Sequence, residues 1–599
     1  MNGAWMFQPK RPLIIPFARI VASLRASFVV RRYFRDAVKM AKLKISSAAA
    51  PSLEDGEPFL SFIVPVYNTK PRYLRDLVES FHLQSNAGAA CELILSDDGS
   101  TASGTINWLE RLKGQAGIRV LRSSENGGIA RATNRGVAAA RGTWIGLLDH
   151  DDALAPYAAA LIIDTLQRNA DCQFLYTDEI IADGRLRPVD CFLKPAFDPV
   201  LLSGVNYINH LSLYRRDRLL EIGGLRSGFE GSQDYDLLLR YTAGLDERTI
   251  LHLPYPAYLW RRDGASYSAR FLKQATEAAR KALGEHYGSV QEPASVGEAR
   301  VADLHRVRFD KAPQEWPLVS VLIPSRDQLA LISRTLEGLV TATDYPTLEI
   351  IVVDNGSTDQ NVLDLYAHHA QTNPRFRVLM QPEPFNFSRS VNRGLEIATG
   401  SMILLLNNDV EITHPDWLTE MVSCMAYSHA GVVGARLLYP DMRLQHAGVI
   451  VGFSHLAGHW FVGEHADHPG PMGRLRVRQR FSAVTGACML ISRPCLRAVG
   501  TFDEEAFAIA YNDIDYCLRA LEAGYQVIWT PFATLIHHES ASRGSDVAPD
   551  KIERFRREQA TLQKRHKTDV FEDRAINPWF SKDRSNPVIS KLTELPDAR

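Results

Sequence analysis

Two short stretches carry side chains that could do chemistry, Leu147-Leu148-Asp149-His150-Asp151-Asp152 and Leu404-Leu405-Leu406-Asn407-Asn408-Asp409. In each, an apolar run suited to a buried strand stops abruptly in acidic or amide residues, so oxygen ligands stand at a strand's carboxyl end. An open α/β sheet keeps its ligand there. Oxygen donors clustered without cysteine suit a hard divalent cation, Mg²⁺ or Mn²⁺, held by one or two carboxylates and completed by phosphate oxygens and water. For one such tetrapeptide an acidic loop capping the next helix is an equal alternative. A second copy in register shifts the balance toward the cation.

Each copy is followed by a second constellation, Gly231-Ser232-Gln233-Asp234 in the first and Tyr511-Asn512-Asp513 in the second. Both place a carboxylate at the start of an amphipathic helix. Asp234 and Asp513 could serve only as caps there. Their chemical reading is a general base that faces the cation and takes a proton from a hydroxyl. Asp236 and Asp515 lie two residues further on and face a different side of the helix.

The elements that must position these groups repeat too. Ser61-Phe62-Ile63-Val64-Pro65 reads as a buried strand, a helix follows from about Tyr73, and Cys91 to Asp97-Asp98-Gly99-Ser100 is a second strand ending in carboxylates. Asn126-Gly127-Gly128 then opens a helix containing Arg131 and Asn134. The same series returns at Ser320, Asp354, Asn392 and Asp409, with all offsets between 257 and 259 residues. Four features at one spacing imply duplication of a whole domain. Strands separated by helices of this length imply βαβ units and a parallel sheet covered on both faces.

With 599 residues, 45% of them hydrophobic and 23% charged, the chain is an ordinary globular one of two to four domains. A net charge of −1 gives no sign of a nucleic-acid partner. Seven scattered Cys without a C-x-x-C pair suit free thiols in a reducing cytoplasm. Charge is uneven only at the start, where residues 1–50 hold ten Lys or Arg and one acid, Asp36. Such a segment is either an amphipathic helix on an anionic membrane surface, with contact through residues 1–45, or a basic arm packed on the protein or left disordered. The expected organisation is a basic arm over 1–56, one domain over 57–270, a helical linker over 271–316, a second domain over 317–547, and a helix with a tail over 548–599.

Taken together these motifs resemble the family 2 glycosyltransferases of the GT-A fold, over roughly residues 58–270 and 317–545. The pairing is most similar to tandem bacterial enzymes that build O-antigen, capsule or other surface polysaccharides. The fold class this implies is α/β, with two tandem GT-A, Rossmann-like domains joined by a helical linker. The resemblance implies inverting transfer from a nucleotide-diphosphate sugar to a growing glycan or lipid-linked glycan, in the cytoplasm at the inner face of the membrane. Asp97 or Asp354 would contact the nucleoside, assisted by Asp98, Arg131 and Arg389. Asp151 and Asp409, helped by Asp149 and Asn407, would hold Mn²⁺ or Mg²⁺ on the diphosphate. Asp234 and Asp513 would be the bases.

The family's late metal-shell histidine matches His537, with His538 as the alternative, spaced before Ser542. In the first copy Asp263 stands where that histidine is sought, which puts metal completion there in doubt. The second copy is 21 residues longer between its Asp409 and Asp513 than the first between Asp151 and Asp234. The insertion falls near His446 to His468. Its aromatic residues Phe453, Trp460 and Phe461 are expected to stack on acceptor sugars rather than its histidines to bind zinc. Two readings compete with two live sites. In one, a single domain is catalytic and the other is an acceptor scaffold. In the other, the whole chain is a glycan-binding scaffold.

Overall fold

The computed structural model describes residues 17–46, 57–84, 90–262, 272–288, 294–309, 315–538, 549, 551–590 and 596–599. Two large sheets dominate it. In the first, Ile118–Arg122, Cys91–Asp97, Leu60–Val66 and Trp144–Leu147 lie side by side and parallel. In the second, Phe376–Met380, Leu348–Asp354, Val319–Ser325 and Met402–Leu406 do the same. Because these strands run parallel, Asp97, Asp98 and the 149–152 loop emerge at one sheet edge. Asp354 and the 407–409 loop emerge at the matching edge of the other.

Beyond these four strands the sheets are mixed, where an all-parallel sheet was expected. Ser212–Arg215 runs antiparallel to both Trp144–Leu147 and Phe174–Ala182, and Cys488–Ser492 does so between Met402–Leu406 and Ala430–Leu438. Strands buried on both faces show continuous apolar runs and no alternation, so direction cannot be read from their composition. Strand order is the same in both sheets, position for position.

Duplication extends to buried polar detail. Ser61 donates to Glu92 at 2.7 Å and receives the Gly142 N–H at 2.9 Å, while Arg119 pairs with Glu92 at 3.2 Å. Ser320, Glu349, Gly400 and Arg377 repeat that network. At both Gly142 and Gly400 a Cβ would fall 2.6 Å from the serine oxygen, so only glycine fits.

The region between the halves is a helix, Leu272–Gly288, and then an antiparallel hairpin of Ala294–Glu298 with His305–Phe309, rather than helix alone. The hairpin is tied to the second half through Arg306, whose Nη2 lies 2.6 Å from the buried Glu420. Arg478 reaches the same carboxylate at 2.7 Å. Arg480, also of the second half, pairs with Asp198 and Glu247 of the first at 3.2 and 2.9 Å.

The N-terminal helix Phe17–Ser46 packs Val30, Tyr33, Ala37 and Ala41 inward, with Tyr33 edge-on to Trp579 at 4.9 Å. Arg31, Arg32, Arg35, Lys39 and Lys42 face outward. Among the described residues no helix is long and apolar enough to cross a membrane. Residues 1–16 lie outside the described set, as do 263–271, with Asp263, and 539–548, with Ser542. All seven cysteines are free, and six are buried.

Candidate active sites

The strand end carrying Asp97 or Asp354 in each half is followed by a turn that only glycine can make. Gly99 has φ +74°, and a Cβ there would meet the Glu125 carbonyl carbon at 2.7 Å; Gly356 has φ +81° and abuts Pro382. The turn lets Asp97 accept from Ser100 N at 3.2 Å, and Asp354 from Ser357 N at 2.6 Å. Asn68 and Asp327 brace the following loop, each accepting two backbone N–H groups. An open groove of about 380 Å³ beside Asp97 is lined by Gly99, Ser100, Thr101, Arg122, Ser123 and Ser124. Asp97 Oδ2 is buried without a hydrogen bond, with Arg122 Nε 3.3 Å away.

Asp98 is turned inward, where it accepts from Gly127 N at 3.1 Å and Gly128 N at 2.7 Å and so fixes the start of the helix Ile129–Ala139. Arg135 lies 3.8 Å from Asp98 and donates to the Asp97 carbonyl at 2.8 Å. Arg131 is exposed on that helix. In the second half Arg389 lies 3.7 Å from Glu383 and 3.6 Å from Glu504. Sequence reasoning missed Arg122 and Arg135. Both follow strand or helix positions whose direction only the folded chain shows.

In the first half Asp149, Asp152 and His210 each bring a ligand atom within 4.8 Å of the others, the one such group among the described residues. Asp151 is not in this set. The turn at 149–152 puts residues three apart on one side, and the Asp151 side chain, 41% exposed, leans toward His150 at 3.8 Å. Asp152 accepts from Tyr258 Oη and Arg261 N, both at 2.6 Å. Burial, together with the charges of Asp149 and Asp151, pushes its carboxyl well above the usual range. His210 stacks on Tyr258 with ring centres 4.7 Å apart. Asp234 receives Asn206 Nδ2 at 3.2 Å. Burial raises its carboxyl, opposed by nearby His210 and reinforced by Asp149.

In the second half Asp409 Oδ1 and Asn407 Nδ2 lie 3.0 and 3.3 Å from His537 Nε2. Asp513, at the start of Asn512–Glu522, accepts from Gly486 N at 2.9 Å, and Asn407 N donates to the next carbonyl, Ala487 O, at 3.0 Å. The helix start therefore adjoins the acidic strand end. His538 contacts Glu411 and Arg334 instead. Asp236 pairs with Arg226 and Arg240, and Asp515 with Arg519, Arg565 and His566.

The family model "Glycosyl transferase family 2" matches residues 61–222 and 320–500, more than half the chain and once in each half. The chain belongs to glycosyl transferase family 2. Its two mixed sheets are the tandem GT-A-like units of that family. An uncharacterized protein of Sinorhizobium fredii is 40% identical over 90% of the chain, and the O-antigen biosynthesis protein RfbC of Myxococcus xanthus is 35% identical over 82%. The chain spans 59% and 38% of those relatives' lengths. A Pyrobaculum calidifontis mannosyltransferase solved with GDP-Man and Mn²⁺ is 20% identical, covering 46% of this chain and 69% of its own, with a TM-score of 0.30.

Strand register within this family 2 chain shows how the halves diverge. Ala153 pairs with Leu259, and Glu411, its counterpart, pairs with Ile536. Trp260 thus stands where the second half has His537. The His210 ring lies 6.0 Å from Trp260 and comes from a different segment, so counting along the sequence from the acidic motif could not find it. The inserted aromatics also differ from expectation. Phe453, Trp460 and Phe461 are 5%, 0% and 4% exposed, and Trp460 packs against Phe481, which makes them the insertion's own core rather than a sugar platform.

Proposed function

We propose that this chain is a metal-dependent, inverting glycosyltransferase with two active sites, moving sugars from nucleotide-diphosphate donors to a growing bacterial surface glycan. One observation carries the reading. In each half a strand-end carboxylate and a histidine converge beside an aspartate at a helix start. The donor sets suit a hard cation of the Mn²⁺ or Mg²⁺ kind. Asp149, Asp152 and His210 would hold it in the first half, and Asn407, Asp409 and His537 in the second. Asp409 Oδ1, buried without a hydrogen bond, supports the fit. When bound, the cation offsets charge on a diphosphate leaving group.

The protein's own residues account for the rest. Asp97 and Asp354 hold the nucleoside, with Arg122 and Arg135 beside Asp97 and Asp98. Asp234 and Asp513 take the proton of an acceptor hydroxyl as its oxygen bonds to the anomeric carbon. The bond to the diphosphate breaks on the opposite face, and the anomeric carbon inverts. Similarity to an O-antigen biosynthesis protein supports a surface glycan as acceptor.

The reading is tested by incubating the chain and Mn²⁺ with UDP-, GDP- and dTDP-sugars and a lipid-linked glycan acceptor. Metal-dependent release of free nucleotide is expected with at least one donor. Binding without turnover across the panel would instead mean a scaffold. The exposed basic face of the first helix supports placement on the inner membrane surface. Charge reversal at Arg31, Arg35 and Lys39 is expected to abolish co-sedimentation with anionic vesicles at low salt, and undiminished sedimentation would remove that placement.

A further inference from the structure

The strand Leu444–His446 pairs with Ala430–Leu438 as Pro188–Phe192 pairs with Phe174–Ala182 in the first half, and it leads into the short strands of the second half's insertion, Val449–Val451 and Ala457–His459. Gln445 on that strand reaches the candidate cation site. Gln445 Oε1 lies 2.7 Å from His537 Nδ1, and both residues are buried. A carbonyl oxygen only accepts, so Nδ1 must carry the ring proton. On the other side of the ring, Asn407 Nδ2 stands 3.3 Å from Nε2, and an amide nitrogen only donates. The two neighbours therefore require the same tautomer, with a lone pair on Nε2.

A carboxylate oxygen, Asp409 Oδ1, lies 3.0 Å from Nε2 with no hydrogen bond between them. Two electron-rich atoms meet in a buried place where no hydrogen bond reaches the oxygen. A positive charge shared between them relieves the repulsion. The same strand braces the base side. His446 is fully buried, its Nε2 lies 3.4 Å from Thr485 N, and its Nδ1 lies 2.9 Å from His459 Nδ1. The residue after Thr485 is Gly486, which donates to Asp513.

We infer that Gln445 is a positioning residue: it locks His537 in the Nδ1–H tautomer and so presents Nε2 to a divalent cation shared with Asp409. The inference rests on the cation proposed for the second half. A partner on the far nitrogen of a metal-bound histidine typically changes metal affinity by about 10- to 100-fold when lost.

The test is Mn²⁺ titration of the full chain by calorimetry and electron paramagnetic resonance, with nitrogen-15 spectra of His537 in metal-free protein. The binding class that Asp409→Asn removes defines the second-half site. Gln445→Leu, of similar size but unable to accept, is expected to weaken that class by about 10- to 100-fold, and Gln445→Glu to retain it. Wild-type spectra are expected to show a protonated Nδ1. An Nε2-protonated His537, or Gln445→Leu binding Mn²⁺ within twofold of wild type, would overturn the inference without touching the cation proposal. Identical titrations of wild type and Asp409→Asn would instead overturn the cation proposal and the inference with it.

Discussion

His537 Nε2 lies 3.0 Å from Asp409 Oδ1, joining the loop after the strand Met402–Leu406 to the last residue of the long strand Gln526–His537. Among the described residues the first half has no equivalent pair: Trp260 takes the register position of His537, and His210 approaches Asp149 at 3.8 Å. The two halves thus assemble similar donor sets from different segments.

This difference predicts two separable cation sites. Mn²⁺ titration of the full chain is expected to give two equivalents, with His210→Ala removing one and His537→Ala the other. Each loss is expected to weaken its own site by at least about tenfold. A chelator should abolish nucleotide release, and added Mn²⁺ restore it.

Acid should loosen the junction between the halves. Burial alone would raise the Glu420 carboxyl, but Arg478 above all, then Arg306 and the Thr530 hydroxyl, hold it down to about 2 from an ordinary 4.5. A depressed carboxyl stabilises the fold above its unfolded value and loses that contribution as pH falls from about 4.5 toward 2. The contribution is on the order of 3 kcal/mol. Glu420→Ala is expected to cost roughly 3–5 kcal/mol at neutral pH by leaving Arg478 buried and unpaired, and to flatten the acid limb of a denaturation curve.

Asn577 is expected to be the anchor of the C-terminal tail. Its Nδ2 donates to Asp178 Oδ1 and Oδ2 at 3.0 and 2.9 Å and to the Lys194 carbonyl at 2.9 Å, all buried. The Lys194 ammonium in turn holds the His210 carbonyl. Asn577→Leu should therefore lower stability by about 1.5–3 kcal/mol, the range for a lost bond to a charged group. It should also weaken the His210 cation site, whereas a tail that is mere packing would leave Mn²⁺ affinity unchanged.

Fold and site differ in how much of each is legible in the sequence. Apolar runs ending in Asp97, Asp149, Asp354 and Asp409 located the strands, because a buried strand announces itself by composition, and the constant offset exposed the duplication. Sheet direction stayed hidden for Ser212–Arg215 and Cys488–Ser492, since burial on both faces erases the alternation that marks orientation. Residues close in sequence to a motif, such as Asn407 and Asp513, were in view. His210, Arg122 and Gln445 were not, because tertiary return of distant segments places them. The Phe453, Trp460 and Phe461 cluster misled for a related reason: an aromatic residue that packs an insertion and one that stacks on a ligand look the same in a string of letters.

The most direct measurement is linkage analysis of the product made by wild type, Asp234→Asn, Asp513→Asn and the double variant from one donor panel. General-base removal typically costs about 10²- to 10⁴-fold. Each single variant is expected to lose one transfer to that extent while keeping the other, and the double variant to lose both. Full activity of both single variants toward every donor and acceptor would contradict the account.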